Sequence, residues 1–142
     1  MTNYGDLTAF FAENVEQLEE CEYVVSRRMK DAEGNPVPWV LRPVSKAQEA
    51  RAREAAYEYT RSGGTVNKSL NAMTYEINLI VEAVAFPNLR DPQLQNSWGC
   101  MNPADLLGKM LSAGEYMALW QKVNDISDFN TTQQEDVEAA KN

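Results

Sequence analysis

The sequence predicts an α+β fold, a mainly α-helical single domain with one small antiparallel β-hairpin. Two observations support this prediction: closely spaced helix-capping signals and one run of alternating apolar residues. A chain of 142 residues can bury a core of its own, and its 44% apolar content is ordinary for a globular protein. We therefore expect one domain over residues 1–127, followed by a mobile polar tail over residues 128–142.

A short amphipathic helix is predicted near the N-terminus. Apolar side chains recur there at helical spacing, and Asp6 precedes them as an N-cap. They are Leu7, Phe10, Phe11 and Val15.

Residues 22–42 predict the β-hairpin. A stretch rich in β-forming residues leads into a cluster of turn residues, and an apolar face then alternates at Val37, Trp39 and Leu41. Because proline cannot donate to a sheet ladder, the nearby prolines predict that the second strand is an edge strand. These are Pro36, Pro38 and Pro43. The apolar face needs a partner, so we expect the hairpin to pack on the core helix of the domain.

The alanine-rich stretch after the hairpin predicts a helix and then a hinge. Ser45 with Gln48 forms a capping-box signature, which opens a helix that runs to about Tyr59. The sequence Ser62-Gly63-Gly64 then predicts a flexible break.

The core helix is predicted over about residues 71–86, with Asn71 as its cap and Pro87 just beyond its end. Its apolar stripe is the strongest in the sequence. The stripe consists of Met73, Ile77, Ile80, Val81 and Val84.

Residues 91–127 predict a helical module of three short helices. Asp91-Pro92 and Asn102-Pro103 each place an N-cap before a proline, and Ser112 with Glu115 is a capping box. Met and Trp side chains more often belong to a core than to an interface, but they also line adaptable binding grooves. The candidate partner-binding residues are Trp98, Met101, Met110, Met117 and Trp120.

Charge and hydropathy disfavour two classes of partner. The net charge of −8 is unfavourable for nucleic acid, because phosphates need cationic partners. No apolar run reaches the roughly 18 residues that a membrane span needs. The N-terminus also lacks the pattern of a signal peptide, so we expect the protein in the cytoplasm.

The sequence contains no obvious equipment for catalysis. It has no histidine, and its two cysteines lack metal-ligand spacing. No nucleophile has an identifiable base beside it, and turn chemistry accounts for the acidic residues around Gly34. We expect no enzymatic activity, no catalytic residue, no cofactor and no metal site.

Two sets of residues resemble those of a known family. The more specific set is Phe86-Pro87-Asn88-Leu89, Asp91, Leu94-Gln95, Ser97, Gly99, Leu106-Leu107, Lys109-Met110-Leu111 and Gly114-Glu115-Tyr116. The earlier set is Asn14-Val15-Glu16, Glu22-Tyr23-Val24-Val25-Ser26, Arg28, Pro38-Trp39 and Arg42-Pro43. Over most of residues 7–127 the chain thus resembles the XkdN-like tail assembly chaperones of phages and prophages of Gram-positive bacteria.

Two departures from the family pattern stand out. The segment 63–70 is shorter than the usual connection, which often carries another strand-like stretch. The sequence therefore does not decide whether a second hairpin or extra strand forms. Trp98 stands where the family suggests tyrosine, and it preserves a large aromatic side chain.

The resemblance implies a non-enzymatic role in assembling a long phage tail. Such chaperones bind the tape measure protein, a long and largely helical chain, and keep it soluble before tail-tube subunits polymerise around it. The expected place of action is the host bacterial cytoplasm, with the protein absent from the mature virion. The tail tube protein and further copies of the chain are additional partners to consider. The alternative is a structural virion component, such as a tail terminator or adaptor protein.

The resemblance also raises a longer, frameshifted form. Tail chaperones of many long-tailed phages are made in two forms, and Lys141-Asn142 is what the normal frame reads across A AAA AAC if the codon for Ala140 ends in A. The alternative is that Lys-Asn ends the sequence by accident, and the gene decides between the two.

Overall fold

The computed structural model of the protein describes residues 6–127, which contain five β-strands and five α-helices. The strands are β1 (Cys21–Tyr23), β2 (Trp39–Leu41), β3 (Tyr57–Ser62), β4 (Thr65–Leu70) and β5 (Val84–Phe86). The α-helices are α1 (Lys46–Glu54), α2 (Ala72–Ala83), α3 (Pro92–Ser97), α4 (Pro103–Met110) and α5 (Ala113–Ile126). The predicted mobile tail and frameshift site fall in residues 128–142, outside the described residues.

The strands form two sheets, so the prediction of a mainly helical domain with a single hairpin is wrong. Strands β1, β2 and β5 form a three-stranded antiparallel sheet, whereas β3 and β4 pair in a separate two-stranded sheet. Helix accounts for 45% of the structure and strand for 19%, which is a mixed α+β composition.

The predicted edge strand, β2, is the central strand of the three-stranded sheet. Trp39 and Leu41 pair with β1 on one side, while Val40 and Leu41 pair with β5 on the other. Pro38 and Pro43 flank the strand and therefore remove no N–H donor from either ladder. The prolines mark the limits of the strand and not its place in the sheet.

Helix α1 begins at the predicted capping box and ends before the predicted residue. Ser45 Oγ accepts a hydrogen bond from Gln48 N at 3.2 Å, and Gln48 Oε1 accepts one from Ser45 N at 2.9 Å. The helix ends at Glu54, and Tyr57 already begins β3. The alternating aromatic and β-branched residues from Tyr57 onward favour a strand over the alanine-driven helix.

The predicted hinge is the turn of a hairpin formed by β3 and β4. Gly63 and Gly64 have φ angles of 57° and 84°. A two-residue type I′ turn requires positive φ at both positions, which glycine adopts without steric cost. A second hairpin, which the short 63–70 segment did not decide, is therefore present.

Helix α2 is the core helix, although its limits and buried face differ from the prediction. The Asn71 side chain caps it as predicted by accepting a hydrogen bond from Thr74 N at 3.0 Å. It ends at Ala83, and the chain passes directly into β5 instead of continuing as helix to residue 86. Met73 of the predicted stripe is 62% exposed. The buried residues of the helix are Leu79, Ile80, Val81 and Ala83.

One core joins the helices to the three-stranded sheet. Helix α2 packs against α1, α4 and α5. Trp39 and Leu41 of β2 belong to the same buried cluster as Leu79 and Ile80 of α2. The cluster also contains Val25, Val44, Ala52, Val81, Ala83, Val84, Leu89, Cys100, Leu106, Leu107, Met110, Leu111, Leu119 and Val123.

The helix caps predicted for the helical module are confirmed. The Asp91 side chain accepts hydrogen bonds from the N–H groups of Gln93 and Leu94 at 2.8 and 3.0 Å. The Asn102 side chain caps α4 by accepting from Asp105 N at 2.8 Å. Ser112 and Glu115 form the reciprocal capping box of α5. These local signals fix the corners between the three helices.

The predicted amphipathic N-terminal helix is wrong. Residues 6–20 form two 3-10 turns, Thr8–Phe10 and Ala12–Asn14, and neither turn contains a buried residue. Phe10 is 75% exposed. Without tertiary packing on its apolar face, a helix of this length is marginal in water.

Candidate binding groove

An apolar groove lies between the β1–β2 connection, the end of β5 and helix α3. Its volume is about 280 Å³, and every residue that lines it is apolar. These residues are Met29, Val37, Trp39, Phe86, Pro87, Leu94, Trp98 and Met110. We call this surface the apolar groove.

The two deeply buried members of the apolar groove are Trp39 and Met110. Trp39 of β2 is 2% exposed, and Met110 at the end of α4 is 4% exposed. Phe86, at the end of β5 and opposite Val40 of β2, lines the groove together with them. The peptide bond from Phe86 to Pro87 is cis. Phe86 remains 53% exposed, so the groove presents an aromatic side chain at the surface.

Helix α3 supplies one wall of the groove through Leu94 and Trp98. Trp98 is the C-cap residue of this helix, and Gly99 after it has a φ of 68°. Lys109 Nζ lies 3.4 Å from the carbonyl oxygen of Trp98 and 3.5 Å from that of Gly99. A cation at the last carbonyls of a helix is stabilising. Lys109 thus holds the backbone that carries Trp98.

The β1–β2 connection supplies the opposite wall. Asp31 Oδ1 accepts hydrogen bonds from the N–H groups of Glu33 and Asn35 at 2.9 and 3.0 Å, as predicted from turn chemistry. Beyond this turn, Val37 N donates to the carbonyl oxygen of Met29 at 2.8 Å. That bond brings Met29 and Val37 together on the groove.

Arg28 connects this wall to the end of α4 and the start of α5 through hydrogen bonds. Its Nη2 donates to the carbonyl oxygen of Met110 at 2.8 Å and to Glu115 Oε1 at 2.5 Å. The Arg28 hydrogen bond, followed by bonds from Ser112 N and the Ser26 side chain, lowers the pKa of Glu115 to about 2. The residues that join these two sides of the groove, Arg28, Met110 and Glu115, all belong to the family resemblance.

Two partly buried tyrosines connect α2 to its neighbouring helices through their hydroxyl groups. Tyr116 of α5 donates to Glu76 Oε2 at 2.6 Å, and Tyr75 of α2 donates to Glu49 Oε2 at 2.6 Å. Burial, then the bond to Glu49, raises the pKa of Tyr75 to about 12. Burial likewise raises the pKa of Tyr116. Both tyrosines remain protonated donors at neutral pH and serve packing.

The five candidate partner-binding residues lie on three different concavities. Trp98 and Met110 line the apolar groove. Met117 and Trp120 line a second concavity of about 480 Å³ that also contains Glu76 and Asn124. Met101, which is 92% exposed, lies on a third of about 420 Å³.

The sequence reasoning missed most of the residues that line the groove. Six of the eight lining residues were not among the predicted binding residues: Met29, Val37, Trp39, Phe86, Pro87 and Leu94. The family resemblance contained a signal for several of them, because Phe86-Pro87, Leu94 and Pro38-Trp39 belong to its matched segments. Met and Trp content alone pointed to two of the eight lining residues, Trp98 and Met110.

A larger concavity, of about 520 Å³, has a mixed lining. Arg51, Glu82 and Arg90 lie among its lining residues, and Arg90 pairs with Glu82 at 3.9 Å. An apolar ligand there would desolvate charged groups without pairing them. The smaller apolar groove is therefore the better candidate for binding an apolar partner.

The lining of the apolar groove provides no catalytic group. None of its lining side chains can act as a nucleophile, a general base or a carboxylate ligand. Within residues 6–127, no group of three or more His, Cys, Asp or Glu side chains could hold a metal ion. In the same range no helix has the length and hydropathy that crossing a bilayer requires.

Comparison with known proteins gives the family and the fold. A crystal structure of the protein YqbN superposes with a TM-score of 0.72 at 22% identity, covering 87% of this chain and 96% of that one. In sequence, YqbN of Bacillus subtilis is 28% identical over 140 residues, covering 96% of this chain and 93% of YqbN. The phage-like element PBSX protein XkdN, from the same organism, is 25% identical over 143 residues, covering 99% of this chain and 96% of XkdN.

The family model for phage XkdN-like tail assembly chaperone proteins matches residues 7–141, which is nearly the whole chain. The match confirms the resemblance seen in the sequence. This chain belongs to the phage XkdN-like tail assembly chaperone family.

Proposed function

We propose that this protein binds amphipathic helical segments of a phage tape measure protein in the apolar groove and keeps that protein soluble during tail assembly. Membership of the tail assembly chaperone family supports the role in assembly. The observation that supports the binding site is the wholly apolar lining of the groove, with Phe86 53% and Trp98 38% exposed.

The size of the groove favours a side chain of a larger partner over a small metabolite. Small-molecule pockets commonly have volumes of about 300–1,000 Å³ and contain a few converging polar groups. The apolar groove, at about 280 Å³, lies below that range and has only apolar lining residues. An amphipathic helix presents apolar anchors at every third or fourth residue, and one or two of them fill such a groove.

The composition of the groove suits a partner whose sequence varies along its length. Met29 and Met110 have unbranched, polarisable side chains that adapt to differently shaped neighbours. Trp39, Phe86 and Trp98 provide large contact areas. A chaperone that covers many stretches of one long helical chain needs such tolerance.

Solubilisation follows from covering the apolar stripe of the partner. A long amphipathic helix exposes contiguous apolar surface that promotes aggregation until another protein covers it. The net charge of −8 on each chaperone adds repulsion between the resulting complexes. Modest affinity per copy is required, because tail-tube subunits must later displace the chaperone.

Co-expression with the tape measure protein from the same phage tests the proposed site. Trp98→Glu places a charge in the apolar groove, so we expect the amount of co-purified tape measure protein to fall at least about tenfold. Met73→Glu is the matched control, since Met73 is 62% exposed on α2 and does not line the groove. Unchanged co-purification by a folded Trp98→Glu variant would contradict the proposed site.

Met117→Glu separates two locations for the binding surface. Met117 is 69% exposed and lies on the second concavity instead of the apolar groove. We expect it to behave like the Met73→Glu control in the pull-down. Loss of binding by Met117→Glu alone, with its thermal stability unchanged, would move the site to the α5 surface.

We further propose that the protein acts in the host cytoplasm and is absent from the finished particle. Quantitative mass spectrometry of purified virions tests this directly. A chaperone should be absent or present in trace amounts relative to tail-tube subunits. A stoichiometric amount would instead assign the protein to the virion as a terminator or adaptor.

A further inference from the structure

One face of the β3–β4 hairpin combines apolar and cationic side chains. The register pairs Tyr57 with Leu70, Tyr59 with Lys68 and Arg61 with Val66. Residues that pair directly in an antiparallel ladder point to the same side of the sheet, and alternate pairs share a face. We call these six residues the cationic hairpin face: Tyr57, Tyr59, Arg61, Val66, Lys68 and Leu70.

The cationic hairpin face is largely uncovered in the described structure. Tyr59 is 59%, Val66 56% and Leu70 43% exposed. Lys68 Nζ lies 4.0 Å above the ring centre of Tyr57 and 3.9 Å from a carboxylate oxygen of Glu54, so it is held near the base of the hairpin. A two-stranded hairpin is marginally stable by itself in water, and a partner on this face would stabilise it.

The opposite kind of surface lies at the start of the same chain. Residues 6–20, which we call the acidic segment, contain five carboxylates and no lysine or arginine. Every residue of the segment is exposed. Its carboxylates are Asp6, Glu13, Glu16, Glu19 and Glu20, and its large apolar residues are Leu7, Phe10, Phe11, Val15 and Leu18.

We infer that the cationic hairpin face of one molecule binds the acidic segment of a second copy of this chain. The two surfaces are complementary in charge, and each presents apolar side chains between its charged groups. The exposure of the whole acidic segment shows that the hairpin of its own chain does not cover it. Each copy therefore carries both an acidic segment and a cationic hairpin face, and it can contact one neighbour through each.

The proposed contact joins two different surfaces, and so it is heterologous. A heterologous contact generates a ring when its rotation closes and an open row when it does not. Self-association through these surfaces needs no tape measure protein. It therefore holds whether or not the apolar groove binds that partner.

The expected association is weak. A hairpin with six residues in each strand is only about 20 Å long, so its face is well below the roughly 800 Å² per partner of a standard interface. The net charge of −8 repels a second copy, but at about 0.15 M salt that repulsion is screened beyond about 8 Å. Charges in direct contact are screened much less.

Sedimentation velocity at about 0.15 M salt, over about 10 µM to 1 mM protein, tests the inference. We expect the weight-average mass of the wild type to rise with concentration. The double variant Arg61→Glu and Lys68→Glu should associate at least about tenfold more weakly, because it places like charges opposite each other. Arg27→Glu with Lys46→Glu is the control: it changes the net charge equally at two exposed positions off the hairpin and should leave association close to that of the wild type.

A complementary pair of variants makes the test specific. Glu13→Lys with Glu16→Lys alters the acidic segment but leaves the hairpin intact, so this variant alone should also fail to associate. An equimolar mixture with the hairpin variant should form heterodimers, because one partner retains the wild-type hairpin and the other the wild-type segment. Circular dichroism checks folding, and Arg61→Gln with Lys68→Gln replaces the hairpin variant if charge reversal unfolds it.

Three results would overturn the inference. The first is a wild type that remains monomeric over the whole concentration range, which would leave the hairpin face for a different partner. The second is association that survives reversal of the hairpin charges. The third is a mixture of the two variants that stays monomeric although both are folded.

Discussion

The helical module of residues 91–127 and the β3–β4 hairpin differ in how their regular structure is stabilised. In the module, capped helices bury Leu106, Leu107 and Leu119 completely or almost completely. In the hairpin, every residue from Glu58 to Leu70 is exposed, and regular structure rests on the ladder and the Gly63-Gly64 turn. The comparison indicates that stability resides in the module and its sheet, whereas the hairpin is available for contacts with other molecules.

The largest difference between the two regions should appear in matched leucine truncations. Leu106→Ala in α4 removes a side chain with no exposed surface, so we expect a loss of about 2–5 kcal/mol of unfolding free energy. Leu70→Ala on the hairpin removes one that is 43% exposed, and the loss should be below about 1 kcal/mol. Urea denaturation measures both. Equal losses would show that the hairpin is part of the core.

A smaller difference should separate two serines. Ser112 Oγ accepts a hydrogen bond from Glu115 N at 3.2 Å and caps α5. Ser112→Ala should therefore cost about 1 kcal/mol of stability. Ser69→Ala on β4 removes the same hydroxyl at an exposed position without a cap, so we expect a change within about 0.5 kcal/mol. Thermal unfolding of the two variants, side by side, measures the contribution of the cap.

A pH-dependent effect should arise at the Arg28–Glu115 pair. The folded-state pKa of Glu115, about 2, lies below its ordinary value of 4.5. The stabilisation that the Arg28–Glu115 pair gives to the folded state is thus fully present above pH 4.5, and it is lost as the pH falls towards 2. Arg28→Met should flatten the fall of the melting temperature over this window.

The effect of Arg28→Met should be modest, because the Arg28 side chain is 56% exposed and surface ion pairs contribute little. Arg27→Met, at the adjacent exposed arginine, is the control. Parallel melting curves for the wild type and Arg28→Met between pH 4.5 and 2 would rule out the pair as the source of the pH dependence.

The smallest effect is expected at the hairpin surface itself. Tyr59→Ser replaces a side chain that is 59% exposed, so unfolding free energy should change by less than about 0.5 kcal/mol in dilute solution.

Amide hydrogen exchange compares the stability of the hairpin directly with that of the core helix. Backbone amides of β3 and β4 should exchange well before those of α2, because few contacts oppose local opening of the hairpin. Co-exchange of both regions would show a single cooperative unit.

Local signals in the sequence predicted the starts of the five described α-helices correctly, because a cap is a contact between residues three or fewer positions apart, whereas the helix predicted after Asp6 did not form. The starts at Ser45, Asn71, Asp91, Asn102 and Ser112 follow from this chemistry alone. Helix ends were less predictable. Alanine favoured continuing α1 towards Tyr59, although the alternating residues around Gly63-Gly64 are also the pattern of a two-residue hairpin.

The apolar groove was beyond local reasoning because its walls come from distant parts of the chain. Met29, Phe86 and Trp98 meet only after β5 pairs with β2 and α3 folds over the sheet. The exposure of Met73 and the burial of Met110 also depend on which helix face the sheet covers. Residue type suggested binding chemistry, but it did not show which Met and Trp residues would share a surface.

The two hydrogen bonds of Arg28 bear on the shape of the groove before any partner binds. Arg28 precedes Met29 on one wall and holds the backbone of Met110 at 2.8 Å, so two parts of the groove are joined by a guanidinium that lies outside it. A site held in shape before the partner arrives is preorganised and loses less conformational entropy on binding. Under the proposed function, Arg28 would contribute to affinity by keeping the unbound groove in shape, without contacting the partner's helix.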